Sequence, residues 1–110
     1  MPAPQIAHMV FFKLKDRTPA ARQKLVAACD RLAAGQTGIV YYSAGVIGET
    51  NHEPAVSDRE FDVALHVVFE DRAAHARYLP HPDHKRFVDE NKAAWAGVRV
   101  FDSEVQPKAK

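Results

Sequence analysis

Residues 61–69 alternate strictly. Phe61, Val63, Leu65, Val67 and Phe69 fall on one side, and Asp62, Ala64, His66 and Val68 on the other. A two-residue period sustained this long belongs to a β-strand with one fully apolar face. Such a face needs cover, so the segment must sit in a sheet packed against another layer.

The other segments supply that sheet and layer. His8–Lys15 reads as a strand with His8, Val10, Phe12 and Leu14 on one side and Met9 and Phe11 on the other. Apolar residues on both sides predict that it is covered on both. Thr18-Pro19 then opens a helix as N-cap and first helical residue. Ala21, Leu25, Ala28 and Leu32 form its apolar stripe, and Gly35 and Gly38 stop it. Residues 39–47 predict a second strand, where Gly45 and Gly48 suggest a bulge or a tight exit. Residues 49–60 are polar and read as a long exposed loop.

After the central strand, Glu70-Asp71 opens a second helix that runs to about Leu79 and breaks at Pro80. His81-Pro82-Asp83 restarts it, with His81 as N-cap and Phe87, Val88 and Trp95 on the apolar side. Residues 98–105 predict the last strand, and 106–110 a fraying tail. The order is β-α-β-β-α-β. It predicts an α+β, ferredoxin-like fold: a four-stranded antiparallel sheet with both helices on one face. The whole chain, 1–110, reads as a single domain with its core at about 6–104. The second sheet face is too apolar to leave in water, which predicts a homodimer formed through sheet faces.

Charge narrows the function classes. Fifteen Lys and Arg against fourteen Asp and Glu leave a net charge of +1 and no basic stripe, so neither nucleic acid nor a membrane surface is an expected partner. The single cysteine, Cys29, permits no intrachain disulfide and lies on the apolar stripe of the first helix, where packing is its expected role. The opening residues carry no basic segment before an apolar run, so no signal peptide is expected, and the expected location is cytoplasmic.

Chemistry points to the histidines. Tyr78-Leu-Pro-His81-Pro-Asp-His84 gathers a phenol and two imidazoles around the helix break. With Pro82 at the helix start, His84, Phe87 and Val88 share the face turned to the sheet, and Tyr78 approaches His84 across Pro80. His8 reaches the same place from the first strand. Imidazole is the natural proton-transfer group near neutral pH. The plain alternative is that His84 is a packed core residue and His81 only a cap. His52 and His75 read as solvated, and His66 as facing a partner chain. His81 and His84 are spaced i, i+3, but no cysteine or third histidine lies at ligand spacing, so no metal or cofactor is expected.

These segments resemble the stress-responsive A/B barrel (Dabb) family of the dimeric α/β-barrel superfamily. The resemblance is carried by His8-Met-Val-Phe-Phe-Lys-Leu-Lys15, residues 61–71, Tyr78-Leu-Pro-His-Pro-Asp-His-Lys-Arg-Phe-Val88 and Val98-Arg-Val-Phe-Asp102. It implies a homodimer with sheets packed face to face. Many members of that family have no assigned activity. A more distant similarity, to the plant cyclase that makes olivetolic acid, implies cofactor-free proton transfer. In that reading His84 is the base that removes a proton next to a carbonyl, Tyr78 holds the substrate oxygen, and His8 supports the site. Phe87, Val88 and Phe12 would line the substrate. That cyclase carries a further pocket histidine where this chain has Val63. Two functions therefore stand side by side: a homodimeric Dabb protein with a small apolar ligand pocket, and a cyclase-like enzyme. A cofactor-free monooxygenase, known elsewhere in the superfamily, rests on fold analogy alone.

Overall fold

The computed structural model describes residues 3–107. Four strands form one antiparallel sheet: β1 (Gln5–Leu14), β2 (Ile39–Val46), β3 (Val63–Phe69) and β4 (Trp95–Val105), in the order β2-β3-β1-β4. Helix α1 (Pro19–Ala34) links β1 to β2, and α2 (Arg72–Tyr78) and α3 (Pro82–Asn91) link β3 to β4. The predicted β-α-β-β-α-β order holds, with the second helix in two pieces. The tail expected at 106–110 lies in part, at 108–110, outside the described residues.

Local chemistry sets the ends of these elements. Thr18 caps α1, its side-chain oxygen accepting from the Ala21 amide, and Pro19 takes the first helical position. Gly35 caps the end of α1, and Gly38 turns the chain into β2 at a φ of +79°, where a Cβ would stand 2.7 Å from that of Ala74. Both the dihedral and the space demand glycine. Asp71 caps α2 through the Ala74 amide. Pro80 then stops that helix, and His81 caps α3: its Nδ1 accepts from the Asp83 amide at 3.0 Å.

The core lies between the helices and one sheet face. Val10, Phe12 and Leu14 of β1, Val63, Leu65, Val67 and Phe69 of β3, Leu25, Ala28, Cys29 and Leu32 of α1, and Ala74, Tyr78 and Phe87 pack into one cluster. The opposite face carries Met9, Phe11, His66, Tyr41 and Phe101 by strand alternation. Tyr41 and Phe101 remain more than half exposed, and Phe11 packs against Phe61, His66 and Phe101.

Four expectations change. β1 begins three residues early, at Gln5, because β4 extends to Val105 opposite Gln5 and β3 to Phe69 opposite Ile6. β3 begins at Val63 rather than Phe61. Trp95 does not belong to α3; a 3-10 turn at Lys92–Ala94 ends the helix and Trp95 opens β4 opposite Leu14. The bulge in β2 lies between Ile39 and Tyr41, while Gly45 pairs regularly with Ala64.

Asp62 is the main surprise, since alternation puts it on the less apolar side. Its side chain is fully buried. Oδ2 accepts from the Leu14 amide at 2.8 Å, and the guanidiniums of Arg17 and Arg22 bind the same carboxylate at about 3 Å. Burial pushes the carboxyl up, but the Leu14 amide and the two arginines outweigh it and hold it below its ordinary value. One charge thereby ties the end of β1, the start of α1 and the entry to β3. Removing one partner of a buried ion pair leaves the others uncompensated, so Asp62→Ala should cost about 3 kcal/mol of stability in urea unfolding. A loss below about 1 kcal/mol would show the network to be peripheral.

Candidate functional site

Five polar side chains from four elements meet on the helix side of the sheet. His8 comes from β1 and Asp102 from β4, paired directly across the ladder. His8 Nδ1 lies 2.6 Å from Asp102 Oδ1. A carboxylate only accepts, so Nδ1 carries the shared proton and the ring is held in one orientation. His75 and Tyr78 come from α2, three residues apart and so on one helical face. The His8 ring centroid is 5.1 Å from that of His75 and 5.7 Å from that of Tyr78. His84 comes from the first turn of α3, fixed there by the His81 cap, with its ring centroid 4.7 Å from that of Tyr78. Phe69 floors the group, stacked on His75 at 5.3 Å and tilted against Tyr78 at 5.0 Å.

The environment decides which groups are charged. Burial lowers the pKa of His84, as does His8, while the Leu79 carbonyl works in the opposite sense. Burial lowers that of His75 too, followed by His8, against the pull of Asp102. Burial, then the Cys29 thiol, pushes the Tyr78 phenol up. At neutral pH the site therefore offers neutral imidazole beside an intact phenol O–H. That is a proton acceptor next to a hydrogen-bond donor, the pair needed to take a proton from carbon while holding the adjacent oxygen. Cys29 is sealed in the core, its thiol pushed up to about 12 by burial and then by Asp30, so it is no nucleophile.

The sequence-derived residues divide. His8, Tyr78 and His84 are together. Tyr78 is only 3% exposed and His84 is half-buried. Phe12 and Phe87 are core residues packed on one another at 6.1 Å, and Val88 packs against the same core. Val98 and Val100 stand open on the helix side of edge strand β4, opposite Phe12 and Val10, and Leu79 is exposed beside Tyr78. His52 is exposed in its loop, and His66 lies on the open sheet face with Nδ1 2.9 Å from Met9 Sδ. The reading of His75 as solvated is overturned: its side chain is 18% exposed and Nε2 is buried without a hydrogen-bond partner. Spacing from Tyr78 carried that signal, since i and i+3 share a face. Asp102 was visible only as part of a strand motif; its partner is 94 residues away and needed the β1–β4 register.

One cleft adjoins this region, and a second lies away from it at the Leu14 end of β1. The first, of about 320 Å³, opens at His75 and Asp102, between Arg72 and the pair Ser103 and Glu104. The second, of about 460 Å³, lies between the start of α1 and the end of α3, lined by Leu14, Leu25 and Trp95 with Lys24 and Glu90 at its rim. The indole Nε1 of Trp95 is buried without a partner.

The histidine shifts predict an acid sensitivity. A folded-state pKa below the unfolded value of about 6.5 means that the unfolded chain binds the proton first. The stabilisation is therefore complete above that value and is lost as pH falls toward the folded pKa. The urea midpoint should drop between pH 7.5 and 5.5, and less so in His84→Gln. An unchanged midpoint would mean that His84 titrates alike in both states.

The comparisons with known proteins agree with this architecture. The family model described as Stress responsive A/B Barrel Domain matches residues 6–105. A Dabb family protein with a ferredoxin-like fold from Mesorhizobium loti superposes with a TM-score of 0.75 at 20% identity, covering 94% of this chain and 98% of that one. Hydroxynitrile lyase from Passiflora edulis gives a TM-score of 0.75 at 20% identity, covering 99% and 100%. A dimeric ferredoxin-like protein of unknown function from Thermobifida fusca gives 0.73 at 18% identity, covering 94% and 92%. No curated protein matches by sequence. Among the described residues no helix is long and apolar enough to cross a membrane. With the family model spanning almost the whole chain, the protein belongs to the stress responsive A/B barrel (Dabb) family.

Proposed function

We propose that this Dabb protein is a homodimer that binds a small apolar carbonyl compound beside His84 and moves a proton on it without a cofactor. The observation that carries this reading is the packing of His84 on Tyr78, ring centroids 4.7 Å apart, with burial lowering the imidazole pKa and raising that of the phenol. His84 is the base. Tyr78 donates to the carbonyl oxygen as negative charge develops there. His8, anchored by Asp102, closes the polar end of the site. The exposed Val98 and Val100 offer an apolar wall for the rest of the ligand. A protein of this fold from Passiflora edulis is named as an enzyme, which supports a catalytic use of the scaffold.

The test is hydrogen–deuterium exchange at the acidic carbon of a small aryl 1,3-diketone, followed by NMR. Wild-type protein should accelerate exchange. His84→Ala should reduce the acceleration by roughly 100-fold or more, the usual share of a positioned base. Tyr78→Phe should reduce it less, with both variants folded by circular dichroism. Equal rates in wild type and His84→Ala would end the proposal.

The dimer follows from the open sheet face. Tyr41, Met9, Phe11 and Phe101 form an aromatic and apolar surface across the open sheet face, a poor match for water. The dimeric ferredoxin-like relative from Thermobifida fusca supports this assembly. Light scattering at micromolar concentration should give twice the 12.3 kDa chain mass, and Phe101→Glu should return a folded monomer. A folded wild-type monomer would contradict the assignment.

A further inference from the structure

His75 stands in the same cluster as His84 and Tyr78 but has no part in the proton transfer. Nε2 of His75 is buried, has no hydrogen-bond partner among the described residues, and lies 3.9 Å from Asp102 Oδ1. A buried imidazole nitrogen in this state is costly unless something takes its lone pair. One ligand atom each from His8, His75 and Asp102 lies within 4.8 Å of the others. Asp102 Oδ1 is 2.6 Å from His8 Nδ1 and 3.9 Å from His75 Nε2. Metal–ligand bonds of about 2.0–2.2 Å in a tetrahedral site put neighbouring ligand atoms roughly 3.3 Å apart, between those two values. Closing the site draws His75 toward the other two ligands, and Asp102, half-exposed on an edge strand, is the ligand freest to move.

We propose that His8, His75 and Asp102 form a binding site for a divalent transition-metal ion of the zinc type. Two imidazoles and one carboxylate, with no thiolate, select borderline ions such as Zn2+ or Co2+ over Ca2+ or Cu+. Three protein ligands leave at least one position open, the pattern of a reactive rather than a structural site. The cleft of about 320 Å³ at His75 and Asp102 provides the entry and the space for that position. The metal takes the place of the proton that otherwise joins His8 Nδ1 to Asp102. The three ligands arise from three elements far apart in the chain, which is why i, i+3 spacing around His81 and His84 gave no sign of them.

This inference goes beyond the proton-transfer reading and does not depend on it, because neither His84 nor Tyr78 is a ligand. Calorimetric titration of the chelator-treated full chain with ZnCl2 should show one ion per chain, and Co2+ should give the visible spectrum of a low-coordinate nitrogen–oxygen site. Zinc should raise the thermal midpoint. Asp102→Asn and His75→Phe, the latter keeping the ring stacked on Phe69, should each weaken binding beyond the about 10–100-fold that loss of an outer-shell partner costs. His81→Gln and His84→Ala should bind as wild type does. Absence of binding at 100-fold excess over a micromolar protein solution would overturn the proposal. Wild-type affinity in Asp102→Asn would also overturn it, since that variant keeps the side chain's size if His75→Phe fails to fold. Deuterium exchange lost in His84→Ala with zinc binding intact would separate this site from the proton-transfer site.

Discussion

The antiparallel ladder between β1 and β4 sets His8 directly opposite Asp102 and Val10 opposite Val100. Side chains alternate with a period of two, so a one-residue slip would turn Asp102 to the other sheet face and leave His8 buried without its carboxylate. The register is pinned at one end by the irregularity near Leu14, where Trp95 pairs, and by Lys15 donating to the Ala94 carbonyl. The polar cluster thus depends on a backbone pairing made mostly by residues with no chemistry of their own.

Asp62 performs the corresponding task for the other half of the molecule. Its buried carboxylate gathers the Leu14 amide and two arginines, so β1, α1 and the β3 entry move together. β1 is therefore fixed at one end by a charge network and along its length by two neighbouring strands. The helices pack over the middle of the sheet and leave the helix side of β4 uncovered at Val98 and Val100. The result is a rigid floor with one open edge, and the imidazoles stand beside that edge. Preorganised groups next to an entry route are what small-molecule chemistry needs.

The order of elements, the helix caps and the break at Pro80 were legible because each rests on local chemistry: Thr18, Gly35, Asp71 and His81 do what their residue types favour at those positions. His8, Tyr78 and His84 were legible as a group because strand and helix periods put them on inward faces. Asp62 was not, since the alternation that called it outward stops where β3 begins, one residue later. His75 was misread because Ala and Arg neighbours suggest a solvated face, whereas Phe69 and His8 cover it in three dimensions. Phe12 and Phe87 looked like pocket residues and instead fill the core, because the two rings and Trp95 pack against one another under α3.

The His8–Asp102 contact is where register, electrostatics and site geometry meet, and a double-mutant cycle on stability tests it most directly. His8→Gln, Asp102→Asn and the double variant should give a coupling energy of about 1–3 kcal/mol, the range for a hydrogen bond to a charged group. Additive effects within about 0.5 kcal/mol would show that the two side chains do not interact, and would contradict the account of how this site is held.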